Sequence, residues 1–120
     1  MMRKIFVLAS AAIALMIAAT GVAVAHHGWS SYDVGQVLKP TAVVLESRWA
    51  SPHGSIIIER NDERWDVVLA PVARMEARGL TRDDIAVGKT VTVEGYPRRD
   101  GAREMRAERI IVGDKTVELR

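Results

Sequence analysis

The chain has 120 residues, with 17 Lys and Arg against 15 Asp and Glu and no Cys, a length that suits one domain. Without Cys there is no disulfide framework, no thiolate metal site and no lipid-modified amino-terminal Cys. The excess of basic charge sits in the first 25 residues, which hold Arg3 and Lys4 and no acid. The remainder carries 15 of each sign, so a general nucleic-acid or membrane role does not follow from charge.

Residues 1–25 read as a cleaved secretory signal peptide. Arg3 and Lys4 form the basic start, Ile5 to Ala19 is apolar except for Ser10, and Ala23-Val24-Ala25 is a small-residue cleavage pattern. The alternative is an uncleaved anchor, since Ile5 to Ala25 is long enough for one helical span of about 20 residues. Cleavage after Ala25 makes His26 the first residue, and a periplasmic location follows. Membrane association is then expected only through the leader before cleavage.

Residues 26–40 have no clear period and read as an arm, with Trp29 and Tyr32 as aromatic pins against the body. Residues 41–120 read as the folded domain. Thr41 to Trp49 predicts a strand whose inner face is Val43, Leu45, Ser47 and Trp49 by alternation. Ala50-Ser51-Pro52-His53-Gly54 is a turn. Ser55 to Arg60 is a second strand and Asn61-Asp62-Glu63 a polar hairpin connection. Arg64 to Ala70 is a third strand, with Trp65, Val67 and Leu69 on one face.

Pro71 opens a predicted helix over Val72 to Arg78, and Gly79 ends it. Thr81-Arg82-Asp83-Asp84 loosely fits a capping box before a short helical turn, with Ile85 and Val87 expected to seal the core. Gly88 to Tyr96 predicts a strand with Val91 and Val93 inward. Pro97 to Arg103 is a charged loop with Asp100-Gly101 at its tip. Glu104 to Val112 is the next strand, with Met105, Ala107, Arg109 and Ile111 alternating against Arg106, Glu108 and Ile110. Gly113-Asp114 turns the chain into a short edge strand over Lys115 to Arg120.

Three strands, a helix, two strands and a tail predict a mainly β fold. The order is that of a small five-stranded OB-like Greek-key barrel, the oligonucleotide/oligosaccharide-binding type, with its helix between strands three and four. An open β-sandwich or meander with one helix is the alternative.

His26-His27, Trp49-Ala50-Ser51-Pro52-His53, and Gly79-Leu80-Thr81-Arg82-Asp83 through Gly88 to Gly95-Tyr96 resemble a group of small exported bacterial proteins classed as a domain of unknown function. The departures are Ser51 where Asn is commoner and Gly28-Trp29 where Ser-Phe is commoner. The resemblance covers nearly all of the mature chain. It implies export, one small β domain and the same histidine positions, and it supplies no reaction.

The three histidines lie at the expected cleavage seam and in a turn, none within an apolar strand face. A histidine at residue one can chelate a metal through its α-amine and ring, with His27 or His53 adding nitrogen. Such nitrogen-rich sets suit copper(II). His26, His27 and His53 are therefore the candidate metal ligands, with Tyr32, Asp33 and Glu46 as further candidates. The arrangement is similar in idea to the histidine brace of copper monooxygenases and periplasmic copper carriers, although the chain lacks the monooxygenases' sequence patterns. A cut after Ala23 would instead place His26 third. The simpler alternative is a polar start and a turn histidine, with no metal.

Arg98, Arg99 and Arg103 in the hairpin, with Trp49, are candidates for binding an acidic ligand or an envelope protein; a solvated hairpin balanced by Asp100, Glu104 and Glu108 is the alternative. Export argues against a nucleic-acid partner. No nucleophile elbow, phosphate loop or His-Glu-x-x-His helix occurs. The expected role is a binding module rather than an enzyme, with a small copper-dependent oxidase the remotest reading.

Overall fold

A computed structural model describes residues 28–120, and the leader, His26 and His27 lie outside the described residues. Seven strands and one helix follow in order: β1 Thr41–Val43, β2 Glu46–Arg48, β3 Ser55–Arg60, β4 Glu63–Val68, α1 Val72–Ala77, β5 Thr90–Pro97, β6 Glu104–Val112 and β7 Lys115–Glu118. They form one sheet with the path β1-β5-β6-β4-β3-β2, and β7 pairs with β6 off that path. The β4–β6 pairing is parallel and the others are antiparallel. The sheet curls into a half-barrel, and β1 also packs against β3. The mainly β class with one helix matches the sequence reading, but there are seven strands rather than five.

Of the two strands beyond five, one is β7, the expected edge strand, and the other comes from a break in the strand expected over Thr41 to Trp49. The Val44 N–H donates to the Lys89 carbonyl (2.8 Å), and the Val44 carbonyl accepts from the Gly88 N–H (2.9 Å). The next residue, Leu45, donates its N–H to Ile57 on β3 (2.8 Å). The chain thus leaves β5 and joins β3 within two residues. The expected inner face of Val43, Leu45 and Ser47 fails there: Val44 is fully buried, Val43 is 46% exposed and Ser47 is exposed. Trp49 is half-buried against the core, as its side of the chain predicts.

The hairpin between β3 and β4 turns on Asn61 and Asp62, both with positive φ (53° and 62°). Left-handed conformations at both central residues suit the right-handed strand twist, and Asn and Asp tolerate them better than most residues. Strands β3 and β4 send Ile56, Ile58 and Val67 inward. Trp65 packs partly buried at the margin of the same cluster.

Pro71 caps α1, which ends in a Schellman motif. The Leu80 N–H bonds the Met75 carbonyl (2.9 Å), and the N–H of Gly79, at φ 90°, bonds Glu76 (3.1 Å). The paired apolar contact of that motif is supplied by Met75 and Leu80, both fully buried. Thr81 and Asp84 then bond reciprocally: the Thr81 N–H donates to the Asp84 carboxylate (2.8 Å), and the Asp84 N–H donates to Thr81 Oγ1 (3.3 Å). A short 3-10 turn over Asp83–Ile85 follows, burying Ile85. Val87 does not seal the core: it is 66% exposed, because Gly88 is already turning into β5.

Strand β6 carries a second change of phase. Glu94 pairs with Arg109 while Gly95 pairs with Ala107, so Glu108 is an extra residue, a β-bulge. Burial therefore runs Met105, Ala107, Ile110 rather than Met105, Ala107, Arg109, Ile111. Gly95 is required opposite the bulge, since a Cβ there would lie 2.8 Å from Ala107 Cα and closer still to the Arg106 carbonyl. The end of β7 and the two residues after it are tied to α1 and its cap: Arg74 donates to the Leu119 carbonyl (3.0 Å), and Arg78 donates to those of Glu118 (2.8 Å) and Arg120 (2.9 Å). These bonds satisfy the last backbone carbonyls after the strand.

Candidate functional site

The described part of the arm is fastened to β5 and its hairpin. The Asp33 N–H bonds the Pro97 carbonyl (2.8 Å), the Arg99 N–H bonds the Ser31 carbonyl (2.9 Å), and Leu38 and Gly95 exchange two bonds (2.8 and 3.0 Å). Tyr32 is fully buried, and its hydroxyl donates to Glu104 (2.6 Å). Burial, with Glu104 beside it, raises the Tyr32 hydroxyl well above the ordinary tyrosine range. Trp29 meets Tyr96 edge-on at 6.1 Å. The Arg106 guanidinium lies 4.2 Å from the Trp29 ring centre and that of Arg120 lies 4.8 Å from it, within the range of a cation–π contact.

Those two arginines also form the polar wall of a cavity of about 120 Å³. Pro52, His53, the end of β4 and Pro71 also line it. The Gly54 N–H bonds the Ala70 carbonyl (2.8 Å), and the Leu69 N–H bonds the Gly54 carbonyl (2.9 Å), which fixes the turn that carries His53. His53 is half-buried, with Nδ1 3.3 Å from the Gly54 carbonyl. Arg120 spends its Nη atoms on carbonyls, donating to Ala107 (2.6 Å), Leu69 (3.0 Å) and Leu119 (3.1 Å). Burial, together with the like charges of Arg106 and Arg74, pulls the Arg120 guanidinium down to about 10. It stays charged at neutral pH.

Of the expected metal ligands, only His53 falls among the described residues, and there it borders this cavity. No three His, Asp or Glu side chains among the described residues are grouped to hold a metal ion. The further candidates are engaged elsewhere: Tyr32 with Glu104, Asp33 with the Gly35 N–H (3.0 Å), and Glu46 with Arg64.

The hairpin arginines hold the arm and the hairpin itself. Arg98, its side chain only 9% exposed, pairs with Asp100 (2.8 Å) and Glu104 (3.5 Å) and lies 5.9 Å from the Tyr32 ring centre. The guanidinium in turn holds Asp100 down to about 2. Arg99 Nε donates to the Ser30 carbonyl (3.1 Å), and Arg103 pairs with Glu63 (2.9 Å). Trp49 lines a separate groove with Leu80, Thr81 and Arg82.

Arg106 is legible only as one of the basic residues of the hairpin region, with Arg98, Arg99, Arg103 and Arg109, and Arg120 is not legible as a site residue. The sequence groups Arg106 with the hairpin arginines rather than with His53, and it gives Arg120 only as the end of a short edge strand. The signal that could have marked them is Trp29, a large aromatic in an otherwise polar arm that needs a partner on the body.

These features define a small β-rich domain with an amino-terminal arm docked beside a cationic, histidine-bordered cavity. The profile of a family of unknown function, DUF6152, matches residues 12–107, and the chain belongs to that family. No curated protein matches it. Among the described residues no helix is long and apolar enough to cross a membrane.

Proposed function

We propose that the protein is exported, cut after Ala25, and binds a transition metal, copper by preference, in the periplasm through His26, His27 and His53. The observation that carries this reading is the docking of Trp29 on Arg106 and Arg120, the arginines that share a cavity wall with His53. His27 is two residues before Trp29, and two residues span at most about 7 Å of chain. A cut after Ala25 would leave an α-amine and two imidazoles within three residues of Trp29 along the chain. Nitrogen donors of this kind favour copper(II) over the hard divalent ions.

The finer fold reading also belongs here. If β1 and β2 are two halves of one bent strand, the sheet path becomes strands 1-2-3-5-4-1 with 3 and 5 parallel. With α1 between strands three and four, this is a five-stranded barrel of the OB type. A carrier or sensor suits such a scaffold better than a catalyst, since no acid–base pair among the described residues borders the cavity.

The test is export of the full chain from a bacterial host, intact mass to fix the first residue, then titration with copper(II) and zinc(II). The expected result is a chain beginning at His26 that binds one copper(II), with affinity reduced about tenfold or more in each of His26→Ala, His27→Ala and His53→Ala. Wild-type affinity in His53→Ala removes the shared site.

A further inference from the structure

We infer that the groove beside Trp49 binds a neutral carbohydrate, with one pyranose ring laid against the indole. The site is separate from the cavity that His53 borders, and the inference does not need the metal reading.

Trp49 comes directly after β2 and packs half-buried against the core. The same side chain lines two grooves. One, of about 370 Å³, it shares with Glu76 and Arg82, and the other, of about 300 Å³, it shares with Arg82 and Asp83. Because Trp49 and Arg82 line both, the two grooves adjoin. Each reaches the lower end of the range of small-ligand sites, about 300 Å³.

The polar groups around the indole are reachable and uncommitted. Glu76, Arg82 and Asp83 are all exposed. Among the described residues, none of their side chains makes a hydrogen bond or an ion pair. Donors and acceptors therefore stand open to a ligand, beside an aromatic ring.

Their mixed charge selects the ligand. An anion would meet the carboxylates of Glu76 and Asp83, and a cation would meet the Arg82 guanidinium. Ion pairs formed at an exposed surface also gain little in water. A sugar hydroxyl both donates and accepts, so it suits a partner of either sign. A hydrogen bond to an ionised partner is stronger than one between neutral groups. The C–H face of a pyranose is apolar and nearly flat, which matches the large apolar face of an indole. An acyclic polyol carries the same hydroxyls without that face.

The test titrates the purified full chain with cellotriose and with triacetylchitotriose, against sorbitol as the acyclic polyol and acetylated, amidated trialanine as a neutral peptide. Calorimetry gives affinity, and the indole Nε1–H resonance of Trp49 reports the site. At least one of the two sugars is expected to saturate on the order of millimolar and to move that resonance, while sorbitol and the capped peptide do neither. Trp49→Ala should abolish saturation, and Arg82→Ala should weaken it about threefold or more, whereas Arg103→Gln, on the hairpin, should leave it unchanged. Absence of saturation by both sugars, equal binding of sorbitol or of the capped peptide, or wild-type affinity in either Trp49→Ala or Arg82→Ala overturns the inference. If Trp49→Ala does not fold, Arg82→Ala, a change at an exposed side chain, decides. A chain that binds sugar and no copper keeps this inference and loses the metal reading, and a chain that binds copper and no sugar does the reverse.

Discussion

The hydroxyl of Tyr32 is a single polar group buried by the arm and given one strong partner, Glu104. Removing it in Tyr32→Phe should cost about 1–2 kcal/mol at neutral pH. Because burial and Glu104 raise its proton affinity in the folded chain, the contribution is fully present below about pH 10, where an ordinary tyrosine begins to ionise. Above that, the unfolded chain releases the phenolic proton while the folded chain keeps it. The unfolded state then binds fewer protons, so stability falls with rising pH. The gap in urea midpoint between wild type and Tyr32→Phe should therefore narrow from about pH 10 upward. A gap that widens there would contradict the buried hydrogen bond.

At the scale of elements, alternation read the strands correctly wherever pairing continued without a break. Val91 and Val93 point inward as expected, and so do Val67 and Leu69. It failed at two places where the backbone changes partner or gains a residue. The exchange of partners at Val44 shifts one face by a residue, and the bulge at Glu108 shifts another. Neither leaves a local mark, because both depend on which distant strand is adjacent. Val44→Ala should consequently cost about 2 kcal/mol, and Val43→Ala should stay within about 0.5 kcal/mol of wild type, as read from urea unfolding. Equal effects would mean that the strand keeps the phase expected from its sequence. The turns were more legible, since their chemistry is local: Asn61-Asp62, Gly79 and Thr81 with Asp84 all serve as their residue types suggest. The candidate site was half legible. His53 stood out by its turn and Arg106 by the basic hairpin, but their nearness to each other and to Arg120 depends on distant parts of the chain meeting.

At the scale of the molecule, arm and sheet share one set of bonds. Leu38, Pro40 and Tyr32 are all joined to β5 or its hairpin, so the arm should not melt ahead of the body. Tryptophan fluorescence, with Trp29 on the arm and Trp65 in the sheet, and far-ultraviolet circular dichroism should trace one coincident urea transition. An earlier fluorescence step would show the arm opening by itself. The pairing of β1 with β5 has a further consequence. Thr41 and Thr92, whose hydroxyls meet at 2.7 Å, are 51 positions apart. The first strand to leave the ribosome has to wait for its neighbour until most of the polypeptide has been made, and such distant pairings delay folding. The side of the sheet that holds β1 therefore closes after the local pairings of β2, β3 and β4 are available.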